Sequence, residues 1–500
     1  MLWFALHLPG LPLEAWRATA AADDGSDDLR PCCVLEARRV VLADAVAVAL
    51  GVEVGMSAAS AASLVSGDGG LQVFTRSTTR EAALVLRLAL ALARFTPSVV
   101  VQSDGVLLEV SASLRLFGGA RALWRMVRDA ARACGVRSLR MAAAPTATAA
   151  AVLAQAEPAS PVLRRLPIQQ RLDALPLAAA TQAWSVEPRL IELLHGIGCR
   201  TLGDVRMLPR TGAQRRGAAA LLDAIGRAHG HIADPQTWLE PPRTFEMGLE
   251  LLHRADDAAM LVFATQRLVQ PLAGWLAQQW LAAARLTLVL RHETSVRHAL
   301  PDTLIALAFG DPTRDAAQIQ LLLRERLQRT TLAAPVYALV LRLDEAVNHA
   351  GREAALWREA GAASSENTRA LFDRLAARLG AERVMRPLLV ADHRPERAMK
   401  WLPVQDKAPS HEGLPAATRP TWLLSEPLRL QEDAEFGRPL HQGAPLVLAS
   451  RAERIEAGWF DGALISRDYH VAQAKDYRWL WVFRERRGDV AHWYLHGVFG

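Results

Sequence analysis

The run QSDGVLLEVS at residues 102–111 holds one acid, Asp104, followed by Gly105, and a second, Glu109, five residues on. Paired carboxylates are what a chain needs to hold divalent ions for phosphoryl chemistry. A lone aspartate before a glycine supplies one ligand. In an uninterrupted strand an odd separation sends two side chains to opposite faces, so Glu109 does not join Asp104 and His7 in a replacement metal site. No metal ligand set is expected, and Glu109 reads as a partly exposed strand acid. The four cysteines, Cys32, Cys33, Cys134 and Cys199, form no CxxC pair and have no histidines at zinc spacing, which argues against a zinc knuckle or a disulfide framework. The lysines are Lys400, Lys407 and Lys475, so lysine chemistry is excluded before residue 400.

A chain of 500 residues with 51% hydrophobic content can fill several cores. Its net charge of +6 is spread evenly, and no segment is a strong electrostatic magnet for nucleic acid. The longest apolar runs, such as 82–93, are broken by Arg87 and are too short to span a bilayer. The N-terminus lacks the basic start of a signal peptide. A cytoplasmic location is expected, nucleoid-associated when bound to DNA.

The elements that would position Asp104 follow from periodicity. MLWFALHL reads as a first strand, CCVLEARRVVLAD as a hairpin, AVAVALGVEVGMS as a short helix ending at glycine, and SVVVQSDGVLLEVS as two strands about Asp104. Leu84, Leu88 and Leu92 recur at helical spacing within 81–95. The helix from about 120 to 134 places Arg121, Arg125, Arg128 and Arg132 on one face, a solvated face or a contact with nucleic acid or a partner. Further on, LLHGIGCRTLGDVRML has the form of two short helices about Gly196 and Gly198. Backbone amides at such a turn can face a phosphate without reading sequence, with Arg200, Arg206, Arg210, Arg215 and Arg216 close by. Residues 242–345 alternate as β-α-β-β-α-β, a sheet with two helices on one face.

This order of pieces, with ALGVEVGM, SDGVLLEVS, AAAPTATAAAVLA and GIGCRTLGDV in sequence, resembles the Y-family translesion DNA polymerases. It is most similar to a polymerase-like branch found in a bacterial mutagenesis complex, and the likeness runs through the tail blocks RPLLVADHRPERA, RAERIEAGWFDG and WYLHGVFG. The resemblance implies an α+β multidomain fold. Its parts are a palm over 1–164 with a fingers insertion at about 14–72, and a helical thumb with a helix-hairpin-helix over 165–241. A little-finger domain over 242–345, a linker with a helix over 346–420 and a small β-rich partner-binding module over 421–500 follow. It also implies three metal-binding carboxylates. Their positions fall on Ala5, Asp104 and Gly105, leaving Asp104 as a remnant. The Tyr and Arg that grip a triphosphate fall on Ala45 and Val48, ahead of Gly51–Met56, and the following lysine on Ala151. The expectation is therefore a protein without catalysis, metal or cofactor.

The partners implied by the resemblance are the sliding clamp, the RecA-like protein ImuA, an error-prone C-family DNA polymerase and, weakly and without sequence preference, primer-template DNA. A clamp peptide is expected in EAALW, with Leu356 and Trp357 as its apolar end and Glu353 in the place of glutamine. One turn of an amphipathic helix is the alternative reading of that segment. The aromatic tail predicts a β module with one buried aromatic face and partner-binding anchors drawn from Trp459, Trp481, Trp493 and Phe499, with His470 and His496 structural. Two other functional readings compete: an active translesion polymerase with a rebuilt metal site, and a protein adaptor that does not bind DNA.

Overall fold

The computed structural model describes the chain apart from residues 20–29, 66–69, 157–166, 216, 294–300, 350–361, 405, 407–418, 434 and 487–490. It divides into two compact units, Met1–Arg378 and Leu379–Gly500, the first mixing helix and sheet and the second, among its described residues, built mainly of strands. Among the described residues no helix is long and apolar enough to cross a membrane.

The first unit begins with β1 (Trp3–His7), α1 (Leu11–Arg17), β2 (Cys32–Glu36), β3 (Arg39–Ala43), α2 (Ala45–Ala49), α3 (Ala58–Leu64) and β4 (Gln72–Thr75). It continues with α4 (Thr78–Leu92), β5 (Val99–Gln102), β6 (Gly105–Glu109), α5 (Ala120–Ala133), β7 (Arg140–Ala144) and α6 (Ala147–Ala156). Strands β5-β6-β1-β7 form an antiparallel sheet with β1 inside it. The two-residue alternation of a strand divides its side chains between two layers. Phe4, Leu6, Val106 and Leu108 pack on Leu84, Leu88 and Leu92 of α4 and on Leu123 and Val127 of α5. Ala5, Leu107, Ala142 and Ala144 turn the other way, onto Ala150 and Leu153 of α6. Strands β3-β2-β4 make a smaller sheet whose neighbouring core contains Cys33, Val40, Ala47, Val52 and Ala61. All four cysteines are buried and free.

Six short helices follow: α7 (Ile168–Asp173), α8 (Ala178–Trp184), α9 (Pro188–Gly196), α10 (Leu202–Arg206), α11 (Arg210–Arg215) and α12 (Ala219–Ala228). Leu172, Leu177, Leu194, Leu202 and Ile225 extend the α6 core. The segment after α12 returns along the first sheet. Trp238 stacks on Trp3 with centroids 5.7 Å apart, and the Leu239 amide donates to the Val99 carbonyl at 2.8 Å.

The expected β-α-β-β-α-β order is present as β8 (Glu246–Ala255), α13 (Leu261–Gln278), β9 (Leu281–His292), β10 (Thr303–Thr313), α14 (Ala316–Leu327) and β11 (Val336–Asn348). The strands pair antiparallel in the order β10-β9-β11-β8. Leu90 of α4 belongs to this sheet's core. The reason is a close helix crossing, in which a Cβ at Gly274 of α13 would stand 1.9 Å from the Leu90 carbonyl oxygen. Only glycine lets the two backbones meet there. Helix α15 (Ala362–Leu379) closes the unit.

The second unit opens with the ribbon β12 (Met385–Leu389) and β13 (Met399–Pro403). Its main sheet holds β14 (Trp422–Arg429), and β15 (Gln431–Glu432), β16 (Pro439–His441) and β17 (Ala444–Pro445) form a small sheet beside it in sequence. The main sheet is completed by β18 (Val447–Leu448), β19 (Glu453–Ala457), β20 (Ile465–Gln473), β21 (Trp479–Glu485) and β22 (Trp493–Val498), in the order β14-β22-β21-β20-β18 with β19 also on β20. One buried aromatic face was expected from the sequence; the sheet buries apolar residues on both faces. Leu480, Val482 and Trp493 pack in one cluster, and Tyr469, Trp481 and Phe483 in the other. Trp481 and Trp493, expected as exposed anchors, are instead buried in the core of the sheet. Trp481 stacks on Tyr469 at 4.0 Å, and Phe499 lies partly buried against the same cluster.

Candidate functional site

Asp104 stands in the two-residue turn between β5 and β6, where Gln102 pairs with Gly105. That turn meets the end of β1, since His7 is opposite Gly105 and the Leu8 amide donates to the Asp104 carbonyl at 2.9 Å. The turn therefore sets Asp104 beside His7, with Asp104 Oδ2 3.1 Å from His7 Nδ1. From the third side, Gln155 Nε2 of α6 donates to the same Oδ2 at 2.9 Å. Burial works against the charge on Asp104, yet its carboxyl is held below the ordinary carboxylate range, first by His7 and further by the Gln155 amide. Gln155 was missed by the sequence reading. The available signal was composition, because Thr148 and Gln155 are the polar residues of the otherwise apolar helix ATAAAVLAQA.

The other positions of the expected constellation carry no charge. Ala5 is 1% exposed and lies between Leu107 and Ala142 in the α6 layer. Gly105 is buried, and a Cβ built on it would stand 2.0 Å from the Leu6 carbonyl oxygen. No side chain fits there with β1 in place. Glu109 pairs with Trp3, at the far end of β1 from His7, and accepts from the Ser111 amide. One carboxylate, one imidazole and one amide fall short of the three carboxylates that two divalent ions need, so this donor set does not fit a two-metal centre. Among the described residues, no three His, Cys, Asp or Glu side chains come together at one point.

Positions 45 and 48 of α2, where a triphosphate would need cations, carry none, and exposed Arg39 nearby is bonded to the Gly55 carbonyl. Ala45, Val48, Leu50 and Val54 are exposed. The local fold is set instead by Asp44, which caps α2 through the Ala47 amide and pairs with Arg17 at 2.8 Å. Ala151 is half-buried on α6, one turn before Gln155.

The helical hairpin of α9 and α10 turns at Gly198, whose φ of +94° is in the left-handed region that suits glycine. Its amides have intrachain acceptors. Ile197, Gly198 and Cys199 donate to Leu193, His195 and Leu194 carbonyls. Arg200 and Thr201 donate to Asp204 Oδ2 at 2.9 Å each, while Thr201 Oγ1 accepts from the Asp204 amide, a complete capping box. Those two amides hold the Asp204 carboxyl below its ordinary range. Gly196 and the Arg200 side chain are exposed. Arg206 forms two bonds to Asp173, at 2.9 and 2.8 Å, and Arg210 pairs with Asp223 at 3.0 Å. The Arg215 side chain and Arg216 lie outside the described residues, as do Glu353, Leu356 and Trp357 of the expected clamp peptide.

In the second unit Trp459 and Phe460 are each 72% exposed and meet edge to face at 5.9 Å. Their loop is fixed from below by buried Arg394, which binds Asp392 and Asp461 and lies over the Phe460 ring. In the sheet beneath, the Tyr469 hydroxyl lies 2.7 Å from His496 Nδ1 and accepts from Arg467, which also pairs with Glu396. Burial pushes His496 down to about 4 and Tyr469 up to about 12.

No family model matches the chain. It is similar to two curated relatives described as Protein ImuB, from Caulobacter vibrioides strains NA1000 / CB15N and ATCC 19089 / CIP 103742 / CB 15. Each is 26% identical over 434 residues, which are 81% of this chain and 91% of the relative. Among solved structures, a Dbh ternary complex matches at 16% identity and a TM-score of 0.38, over 69% of this chain and 99% of that one. A DinB structure from Sulfolobus solfataricus matches at 16% identity and a TM-score of 0.36, over 69% and 98%.

Proposed function

We propose that this ImuB-like chain is a non-catalytic relative of the Y-family polymerases that acts as a scaffold in translesion synthesis and damage-induced mutagenesis. The observation that carries the reading is the turn at Asp104. Its carboxylate is engaged by His7 and Gln155, Ala5 lies in an apolar layer, and the Leu6 carbonyl fills the space a side chain at Gly105 would need. A site lacking two of three carboxylates, the triphosphate cations and the lysine at 151 is a dismantled polymerase site. What remains is a framework for bringing the sliding clamp, ImuA and an error-prone C-family polymerase to primer-template DNA: the clamp through Glu353, Leu356 and Trp357, and ImuA or the polymerase through the second unit. Within that unit, exposed Trp459 on its Arg394-braced loop is the best-placed anchor, because rigid aromatic groups dominate protein interfaces.

Hairpin contact with the DNA backbone belongs to the same reading, through Gly196, Gly198 and Arg200. Ion pairing of Arg206 and Arg210 with Asp173 and Asp223 favours weak contact there and gives the adaptor reading its support. The test is primer extension by the purified protein in Mg²⁺ and in Mn²⁺, beside Asp104→Ala. No extension by either folded protein is expected. Extension by the parent that disappears in the variant would mean that a working metal site exists.

A further inference from the structure

Helix α5 sorts its residues sharply. Leu123, Val127, Ala130 and Ala131 are buried against the sheet, while Arg121, Arg125 and Arg132 are exposed and Arg128 is half-exposed. Arg128 pairs with its neighbour Asp129 at 3.3 Å; among the described ion pairs Arg121, Arg125 and Arg132 have none. Eleven residues separate the first arginine from the last, about 16 Å of helix. Like charges one turn apart destabilise a helix, and Asp129 is the one acid within the run.

Beside this ridge, between α5 and α13–α14, runs a groove of about 830 Å³ whose lining includes Arg94, Asp129, Gln270, Asp315 and Arg324. Arg94 Nε and Gln270 Oε1 are buried there without a partner. Asp315 is committed to capping α14 through the Ala317 amide. Ridge and groove together set six guanidinium groups against two carboxylates. They lie on the α4–α5 side of the first sheet, opposite the α6 side that holds Asp104 and Gln155.

We propose that the α5 ridge and its groove bind the sugar-phosphate backbone of nucleic acid, on the face of the sheet opposite the Asp104 site. Four arginines in line match a regular row of anions, because a nucleic-acid strand presents one phosphate per 3.4 Å of duplex axis and the ridge therefore covers about five. Guanidinium forks bind phosphate oxygens in pairs. This surface is additional to the hairpin and does not depend on it.

The test is fluorescence anisotropy with the full chain, a labelled oligothymidylate and a labelled duplex, each across a salt series. Arg121→Gln/Arg125→Gln/Arg132→Gln is expected to reduce the slope of log K against log salt by about 2 on the single strand, at about 0.7 per lost contact, and by slightly more on the duplex. Asp129→Arg is expected to steepen it, which keeps the test open should the triple variant fail to fold. Slopes equal to the parent's in both variants would overturn the proposal and leave the scaffold reading standing. It would also be overturned by a parent that does not bind either probe at low salt. Loss of binding to polyglutamate, with DNA binding unchanged, would assign the ridge to an acidic protein instead.

Discussion

Replacing Gly105 with alanine tests how the turn at Asp104 is built. The added Cβ would lie 2.0 Å from the Leu6 oxygen, 3.0 Å from the Leu6 carbonyl carbon and 3.3 Å from His7 Cα. Ordinary contacts between heavy atoms begin at about 3.5 Å, and the nearest of these atoms are backbone, so relief requires β6 and the end of β1 to separate. The His7–Gly105 pairing and the approach of Asp104 to His7 and Gln155 would then be disturbed. Forced overpacking of this kind costs about 1–3 kcal/mol. Each kcal/mol lowers the melting temperature by about 2–4 °C for 150–250 residues and by less in a larger unit such as this one, so Gly105→Ala should melt below the parent by circular dichroism, by at most about 12 °C. Ser103→Ala, in the same turn but exposed, should fall within about 0.5 kcal/mol of the parent. The same crowding predicts that Ala5→Asp/Gly105→Glu, which restores both carboxylates on paper, gains no Mg²⁺-dependent extension. A Gly105→Ala protein that melts with the parent would refute the account of the turn, and with it the view that the missing carboxylate is excluded by the backbone.

The crossing of α4 and α13 makes Gly274→Val a second backbone collision, against Leu90; limited proteolysis should find residues 246–348 cleaved faster than in the parent. Trp481→Ala empties a buried stack and should destabilise the second unit by about 3–5 kcal/mol, whereas Trp459→Ala should leave its melting unchanged and weaken partner binding. His496 is fully buried with its folded pKa depressed to about 4 from 6.5, so between those values the unfolded state binds the extra proton. Stability of the second unit should therefore rise with pH across that window, by about 3 kcal/mol at most. Urea unfolding of His496→Gln should show a flatter pH dependence.

Much of the fold is legible in the sequence because local periodicity and tertiary burial agree. Leu84, Leu88 and Leu92 sit at helical spacing and are all buried, and the strands of the two larger sheets of the first unit are read from their apolar runs apart from β7, whose RMAAA carries no strand signal. The pairing of Asp104 with a glycine was equally visible. What was not legible depends on distant partners. Periodicity in YRWLWVFRE shows that Trp479 and Trp481 share a side of β21, yet Trp481 is buried and Trp479 exposed at the strand's end. Arg206 and Arg210 look like free cations until the fold brings Asp173 and Asp223 to them. Gly105 and Gly274 look like ordinary glycines, because the atoms that require them belong to other elements.

The close crossing at Gly274 also bears on how the chain is made. One side of α4 is covered by the first sheet, but Leu90 is enclosed by the core that α13 completes. About 190 residues must leave the ribosome after α4 before α13 is whole. At 5–20 residues per second that is about 10–40 s. For that interval Leu90 stands on the nascent chain without the core that will enclose it, in the window where chaperones compete with misassociation.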